Sequence, residues 1–477
     1  MAPPASFSLL GTVTPRSAAQ LKAAGITSPF SIGGETTDRN FSTYANWRTY
    51  LGPLGFPKAR VQTGWADVER VRGTYDFAKL DTIVTDMKAQ SVEPWFDLVY
   101  GNALYSGGGG TGLGAALPSA GSEGRAAWLN FVRATVAHFN TPERKVTEWQ
   151  IWNEPDLGPN SASVYATFAA QTARAIKEVQ PEAKILLGGF TQGVISNNYQ
   201  YGQTVLTNFA NEKGSTVPNA DVQVVYHPYN ANPDASYSST FDSFRASAEA
   251  RGFTIRQGEN GAPSASQPEF ALNNLPWTED AQAKWALRRL LGDFRRGIES
   301  NLFTLTELHY ASAKNLKGIL QTGAWSSAAP TYGDQTVQRP KAAYRAVQSL
   351  AAIFDSRLTS LFNQGCTLPS GYTIQAYTRL DANDIRRNML VVWRNNARPG
   401  ENEATAAINI TCTVFQFPRF ASNPTLRPRY VDLLTGRVYA LTSSTTVVQG
   451  ASGVTITGLP VYDSPVVLAD QGIALFN

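Results

Sequence analysis

The chain has 477 residues, 43% of them hydrophobic and 16% charged, which buries a real core and excludes a disordered tail protein. The net charge of +4 is mild for this length, with no basic block for nucleic acid and no acidic tail. No apolar run of roughly 18 residues is present to span a membrane, and the length fits about two to three domains, one of which can be a large α/β barrel.

The first 25 residues are ambiguous and can add a strand to a later sheet. Met1-Ala2-Pro3-Pro4 lacks the basic segment and apolar stretch of a signal peptide. From about residue 26 to 354, short β-rich runs alternate with helical patterns. Phe30-Ser31-Ile32, Ala59–Gln62, Pro94–Val99 and Val146–Trp152 read as strands one to four. Lys184–Leu187, Val222–His227, Phe253–Gln257 and Leu302–Leu305 read as strands five to eight. Between them Phe77, Leu80, Ile83, Val84 and Met87 recur at helical spacing. Trp128, Phe131, Val132, Val136 and Phe139 do the same, as do Tyr165, Phe168, Ala169, Ile176 and Val179; residues 279–298 form another helix candidate. Eight strands alternating with helices predict an α/β fold, a (β/α)8 TIM barrel, with a doubly wound open sheet as the alternative.

After Phe354 the pattern changes to short alternating runs: Tyr372–Tyr377, Met389–Trp393, Ala406–Ile410, Arg429–Asp432, Val454–Ile456 and Pro465–Leu468. They predict a C-terminal antiparallel β-sandwich. The expected division is therefore 1–25, a segment packing on the sandwich; 26–354, the barrel; and 355–477, the sandwich. Cys366 and Cys412, the two cysteines, form one disulfide or stay as buried thiols, and no Cys/His cluster suits zinc. The sequons at Asn40 and Asn409 carry little weight. Gly107–Gly112 is not a phosphate loop: no Lys-Ser/Thr pair follows, and Pro118 stands where a helix would begin. It reads as a flexible loop.

The strongest chemical signal is Trp149-Gln150-Ile151-Trp152-Asn153-Glu154-Pro155-Asp156, an apolar strand ending in Asn-Glu-Pro. Catalytic groups of a barrel sit at the C-terminal ends of its strands. Pro155 stops the strand, and apolar surroundings raise the pKa of Glu154, as a general acid requires. Ile255-Arg256-Gln257-Gly258-Glu259-Asn260-Gly261 places a second Glu at the end of strand seven. Glu154 and Glu259 would then lie across one barrel mouth, a carboxylate pair of the kind a retaining glycosidase uses. A lone Glu at a strand end is more often a salt-bridge partner; two in this arrangement are not.

On these residues the chain resembles the clan A retaining glycoside hydrolases, and within them glycoside hydrolase family 39, the β-xylosidase and α-L-iduronidase family. Trp152-Asn153-Glu154-Pro155-Asp156 matches the acid/base motif of that group and Glu259 the nucleophile position. Arg60 matches the arginine beside the nucleophile, Asn153 the asparagine on the sugar 2-hydroxyl, and His227-Pro228-Tyr229 the corner where an aromatic hydroxyl approaches the nucleophile. The resemblance implies a secreted enzyme, a monomer by default, whose leader is not part of this chain. It implies a carbohydrate substrate from plant cell walls, a β-xyloside or an α-L-arabinofuranoside, and no metal or cofactor.

One departure is the missing Trp at the end of strand eight, where Leu305-Thr306-Glu307-Leu308-His309-Tyr310 stands; Tyr310 or Trp325 can take its place as sugar floor. Further substrate-binding candidates are Glu35, which accepts from sugar hydroxyls or pairs with Arg39; Trp65, a stacking platform; Asn102, at a polar rim with Tyr100; and Trp152. His309 lines the pocket or is a satisfied core histidine, Glu69 reads as a helix-start charge, and His138 as structural. The loops 106–114 and 190–203 can wall a pocket. Two rival classes remain: a carbohydrate-binding barrel without catalysis, and an endo-acting glycanase of the same clan. A metal-dependent hydrolase needs clustered His and Asp, and the three His are far apart; a serine hydrolase needs a G-x-S-x-G elbow, which is absent.

Overall fold

The computed structural model describes residues 7–196, 200–381, 383–442 and 444–477. The terminus Met1-Ala2-Pro3-Pro4 and residues 197–199 of the polar loop lie outside the described residues.

Strand β1 (Ser8–Thr12) precedes eight strands that close into a parallel barrel. These are β2 (Phe30–Gly33), β3 (Lys58–Gln62), β4 (Glu93–Leu98), β5 (Glu148–Ile151), β6 (Lys184–Thr191), β7 (Val222–His227), β8 (Thr254–Asn260) and β9 (Glu299–Leu302). β9 pairs with β2 and shuts the ring, which settles barrel against open sheet. The strands are buried on both faces, as parallel sheets under helices must be. Along β3 the alternation puts Lys58, Arg60 and Gln62 inside, while Ala59 and Val61 face the helices.

The outer helices begin where hydroxyl caps predict. Ser122, Ser161 and Thr278 each accept a backbone N–H and start helices Glu123–His138, Ala162–Val179 and Glu279–Arg295. The eighth barrel strand starts at Glu299, upstream of the expected Leu302–Leu305; Phe303 and its neighbours run on past the barrel rim. Two short antiparallel pairs follow, β10 (Leu308–His309) with β11 (Lys314–Asn315) and β12 (Leu320–Thr322) with β13 (Val337–Pro340).

The C-terminal region is two antiparallel sheets. Its strands are β14 (Thr359–Leu361), β15 (Cys366–Thr367), β16 (Tyr372–Leu380), β17 (Arg386–Arg394), β18 (Ala406–Cys412), β19 (Arg429–Asp432), β20 (Arg437–Ala440), β21 (Thr446–Gln449), β22 (Val454–Val461) and β23 (Val466–Ala469). One sheet runs β1-β20-β19-β23-β17-β16-β14 and the other β15-β18-β22-β21. The N-terminal β1 therefore pairs with β20 at the sandwich edge. Cys366 and Cys412 are cross-strand partners and are joined as a disulfide. The barrel and sandwich are tied by Lys284, which donates to Gly400 O and pairs with Asp463, and by Trp393, whose indole N–H reaches Asp234.

Candidate active site

The C-terminal mouth of the barrel holds a cavity of about 340 Å³ lined by Glu154, His227, Tyr229, Glu259, Tyr310 and Lys317, among others. Glu154 follows β5 in a left-handed conformation, φ +48°, and Trp152 before it has φ +67°. Both are uncommon for residues with a side chain and aim neighbouring side chains in opposite directions. Trp152 packs inward against Tyr100, Trp128 and Phe168, while Glu154 turns into the cavity. Pro155 then begins a short 3-10 turn to Leu157 at the cavity's edge.

Glu259 sits where the β8–β9 register shifts, so the strand end bends its carboxylate into the mouth. Gly258 before it is required by space: a Cβ there would lie 2.2 Å from Val225 Cγ1 on β7. One carboxyl oxygen of Glu154, one of Glu259 and a ring nitrogen of His227 lie within 4.8 Å of one another. That bound falls short of the roughly 6.5–9.5 Å that admits an inverting water and lies on the side of the roughly 5–5.5 Å of retaining carboxyl pairs. These three residues are the candidate cation ligands among the described residues. Both Glu259 oxygens and one Glu154 oxygen, however, are already engaged by protein groups.

The two carboxyls meet opposite surroundings. Arg60 donates to Glu259 Oε2 at 2.6 Å and Tyr229 OH to Oε1 at 2.8 Å. Burial by itself raises Glu259; these donors, with His227 when charged, outweigh it and hold the carboxyl below its usual value. Glu154 has no such cation: its oxygen lies 3.0 Å from His227 Nδ1. Burial first, then the charges of Glu259 and Asp156, push Glu154 well above the usual range. Burial likewise draws His227 down to about 4, so the ring is neutral near pH 7.

Arg60, itself fully buried, serves more than Glu259. Its guanidinium donates to Glu35 at 3.1 Å, to Asp97 at 2.7 Å and to Asn153 Oδ1 at 2.7 Å. Asn153 in turn donates to Tyr100 OH at 3.2 Å. One cation thus faces three carboxyls, and burial raises two of them, Glu35 to about 7 and Asp97 to about 6.

Several expected positions differ. Glu35 is buried and pairs with Arg60, not Arg39, so it is neither a sugar contact nor the pair expected. Arg39 instead bonds Asp38 and Gln62 and lies over the rings of Phe41 and Tyr100. Trp65 is fully buried between Tyr105, Trp128 and Phe131, which leaves no face for a sugar. Glu69 caps the end of the short helix Trp65–Val68 rather than starting one, and is buried while accepting from Trp65, Gly73 and Tyr105. Asn102 is buried and fixes its own loop, bonding Glu69 O and the Leu104 N–H. Trp152 belongs to the core behind the cavity. His309 is the satisfied core histidine, with both ring nitrogens bonded, to Tyr332 O and to Thr322 Oγ1. Tyr310 lines the cavity, whereas Trp325 donates to Tyr310 O and stands behind it. His138 bonds Asp81 and stacks on Phe77.

The glycine loop is folded rather than free: Gly101 and Asn102 donate to Gly110 O and Gly108 O. It carries Leu113 to the cavity rim, where Thr191, the last residue of β6, and Gly193, in the helix Gln192–Ser196, also stand; the stretch 190–203, expected as a loop, is among its described residues strand end and helix. The reading from sequence missed Asp97, Phe270 and Lys317. Asp97, a single acid inside an apolar strand, carried a usable signal. Lys317 carried none, since a lysine in a loop is ordinary.

No protein-family model matches the chain, and no curated protein matches it in sequence. Among solved structures it is similar to a family 39 glycoside hydrolase from the gut symbiont Bacteroides cellulosilyticus WH2, with TM-score 0.65 and 16% identity over 94% of this chain and 81% of that one. It is similar to the catalytic domain of the family 30 xylanase C from Talaromyces cellulolyticus, TM-score 0.57 and 12% identity over 98% and 99% of the two chains. It is also similar to AbfB, a family 51 α-L-arabinofuranosidase from Bifidobacterium longum, TM-score 0.51 and 12% identity over 99% and 100%. At these identities the likeness is one of architecture: the chain has the fold of glycoside hydrolases of families 39, 30 and 51.

Proposed function

We propose that the protein is a retaining O-glycoside hydrolase that works by double displacement. The observation that carries this reading is the pair Glu154 and Glu259, close together in one cavity yet held in opposite protonation states. Glu259, ionised beside Arg60 and Tyr229, attacks the anomeric carbon. Glu154 keeps its proton and gives it to the departing oxygen. A neutral His227 donating from Nδ1 to one Glu154 oxygen leaves the other free to carry that proton. Once the glycosyl-enzyme has formed and the leaving group has gone, Glu154 is a carboxylate and takes a proton from the attacking water. Asn153 and Tyr310 are the sugar contacts of this reading, with Arg60, His227 and Tyr229 holding the carboxyls.

The substrate class is a plant-type oligosaccharide or polysaccharide, with a β-xyloside or α-L-arabinofuranoside as the favoured scissile unit. The family resemblance supports this, as do the xylanase and arabinofuranosidase activities in the names of structurally similar proteins. Action outside the cell fits the Cys366–Cys412 disulfide, which persists in an oxidising compartment. No helix among the described residues is long and apolar enough to cross a membrane.

The test is sugar release from aryl glycosides and plant polysaccharides, with a 2-fluoro glycosyl inactivator of whichever sugar is released. The expected result is a covalent label on Glu259, located by peptide mass. Label on another residue, or turnover that survives Glu259→Ala, would refute the assignment.

A further inference from the structure

The rings and the leucines that line the active-site cavity come from opposite sides of the barrel. The rings, Tyr229, Phe270, Phe303 and Tyr310, belong to the chain that follows β7, β8 and β9. The leucines, Leu113 and Leu157, follow β4 and β5. Glu259, on β8, belongs to the aromatic half. Glu154, three residues before Leu157, belongs to the aliphatic half.

Leu113 and Leu157 are 56% and 51% exposed, and among the described residues they are the two exposed large hydrophobics that line this cavity. Single exposed leucines are ordinary, whereas two together at the mouth of a pocket mark a contact surface. The pair is fixed in place. Asn160 donates to Ala115 O at 3.0 Å and accepts the Leu117 N–H at 2.9 Å, which ties the chain around Leu113 to the chain after Leu157. Gly158 permits that approach, since a Cβ there would lie 2.6 Å from Gly114 O. Sugar hydroxyls pressed against leucine lose water and gain no partner, while a hydrocarbon gains by leaving water.

In the reaction proposed above, Glu259 attacks the sugar that stays and Glu154 protonates the oxygen that leaves. The sugar then lies towards the aromatic half, and whatever is joined to its anomeric oxygen extends past Glu154 into the aliphatic half. We propose that Leu113 and Leu157 form a binding site for an apolar group on that oxygen, an alkyl or aryl aglycone. The proposal rests on the glycosidase reading for the placing of the sugar; it names the group that leaves, where that reading names the sugar that stays. A cavity of about 340 Å³ stands near the low end for ligand pockets and suits one sugar with a compact aglycone. Leu113 and Leu157 are then specificity-determining residues.

The test reads binding, in the Glu259→Gln background so that no ligand is turned over. The protein is titrated calorimetrically with methyl, propyl and pentyl β-D-xylopyranosides, with the same three α-L-arabinofuranosides, and with xylobiose. In one of the two sugar series each added methylene should tighten binding about twofold, half the effect of full burial, because the leucines cover one side of the chain. Leu113→Asn combined with Leu157→Asn keeps side-chain size and removes the apolar surface. It should flatten the series and leave the methyl glycoside and xylobiose within about twofold. Each single substitution should remove part of the slope. The proposal is overturned if both series are flat, if no glycoside binds, or if the slope survives the double substitution. It is overturned too if the double substitution weakens xylobiose as much as the pentyl glycoside, since the leucines would then be a wall for any ligand. Glu259-dependent hydrolysis in wild type beside a flat series would remove this proposal alone. A rising series that depends on the leucines, with no Glu259-dependent turnover of any glycoside, would remove the hydrolase reading alone.

Discussion

The barrel contains two buried arginine–carboxylate clusters, one at each end, and they differ in charge balance. At the N-terminal end Arg256 and Lys58 meet Glu148 and Glu299, two cations for two anions. There the carboxyls sink: Arg256 and Lys58 outweigh burial and hold Glu148 at about 2, and Glu299 also lies below its usual value. At the C-terminal end Arg60 meets Glu35, Asp97 and Glu259, with Glu154 and Lys317 close by: two cations for four carboxyls, and all four but Glu259 rise. Trp95 stands between them inside the barrel, its ring 5.5 Å from the Arg60 guanidinium and 5.2 Å from that of Arg256. Size does not tell the two ends apart, since the N-terminal cluster also borders a hollow, of about 420 Å³. Charge balance does: a matched cluster ties strands together, whereas an unmatched one stores the shifted protonation that acid–base chemistry uses.

The sharpest way to break the comparison is to remove the active-site carboxyls. Glu259→Gln should lower kcat at least about 10⁴-fold, as loss of a nucleophile does. Its thermal midpoint near neutral pH should fall modestly, because folding holds Glu259 below its usual value and its ionised form therefore stabilises. Glu154→Ala should cost about 10²–10⁴-fold on substrates with poor leaving groups and far less on activated aryl glycosides. Azide should restore the latter as a glycosyl azide of retained configuration. The alkaline limb of the wild-type pH–rate profile, set by loss of the Glu154 proton, should lie well above the ordinary Glu range and vanish in this variant. A profile whose alkaline limb is unchanged in Glu154→Ala would remove Glu154 as the acid.

Arg256→Met tests the other end. It leaves Glu148 and Glu299 with Lys58 alone, and should cost about 2–3 kcal/mol in urea unfolding. That is less than the roughly 3–5 kcal/mol of a fully buried pair, because Glu299 is 35% exposed. Activity per folded molecule should change less than about threefold. The lost stability should be specific to pH above about 4.5: carboxyls depressed by folding stabilise once the unfolded chain has ionised, and that contribution fades as pH falls towards 2. A large fall in kcat with little loss of stability would erase the distinction between the ends.

Much of this contrast was legible in the residues, and the remainder has identifiable causes. Alternating β-rich runs and apolar residues at helical spacing revealed eight strands and their helices because periodicity is local. Glu154 and Glu259 stood out because each ends an apolar run at a strand terminus. Trp65, Trp152 and Asn102 were misassigned because sequence shows that a residue follows a strand but not which way it turns; the positive φ of Trp152 sends its ring into the core. β14 and β15 went unseen because they are three and two residues long, too short for alternation to register, whereas β20 and β21 are no shorter than β19 and β23, which did register. Lys317 went unseen because its place in the cavity wall depends on which strands and loops converge there. The charge imbalance around Arg60 was hidden for the same reason, as its partners come from β4 and β8 and from the loops after β2 and β5.

Glu35 gives the smallest effect and the finest test of imbalance. Burial and the neighbouring Glu259 raise it to about 7 against the pull of Arg60, so the native state holds a proton that the unfolded chain releases near 4.5. Between those values the folded protein binds more protons than the unfolded one, and wild-type stability therefore falls as pH rises through this window. Gln at position 35 keeps the shape and a donor–acceptor group but cannot ionise. The stability of Glu35→Gln relative to wild type should therefore improve by about 1–2 kcal/mol between pH 5 and pH 8, measured as the difference in urea midpoints. The matched end predicts the reverse behaviour for its own glutamates: Glu148→Gln should become relatively worse over the rise from acid to neutral pH. If both variants drift in the same direction, charge balance is not what separates the two ends of this barrel.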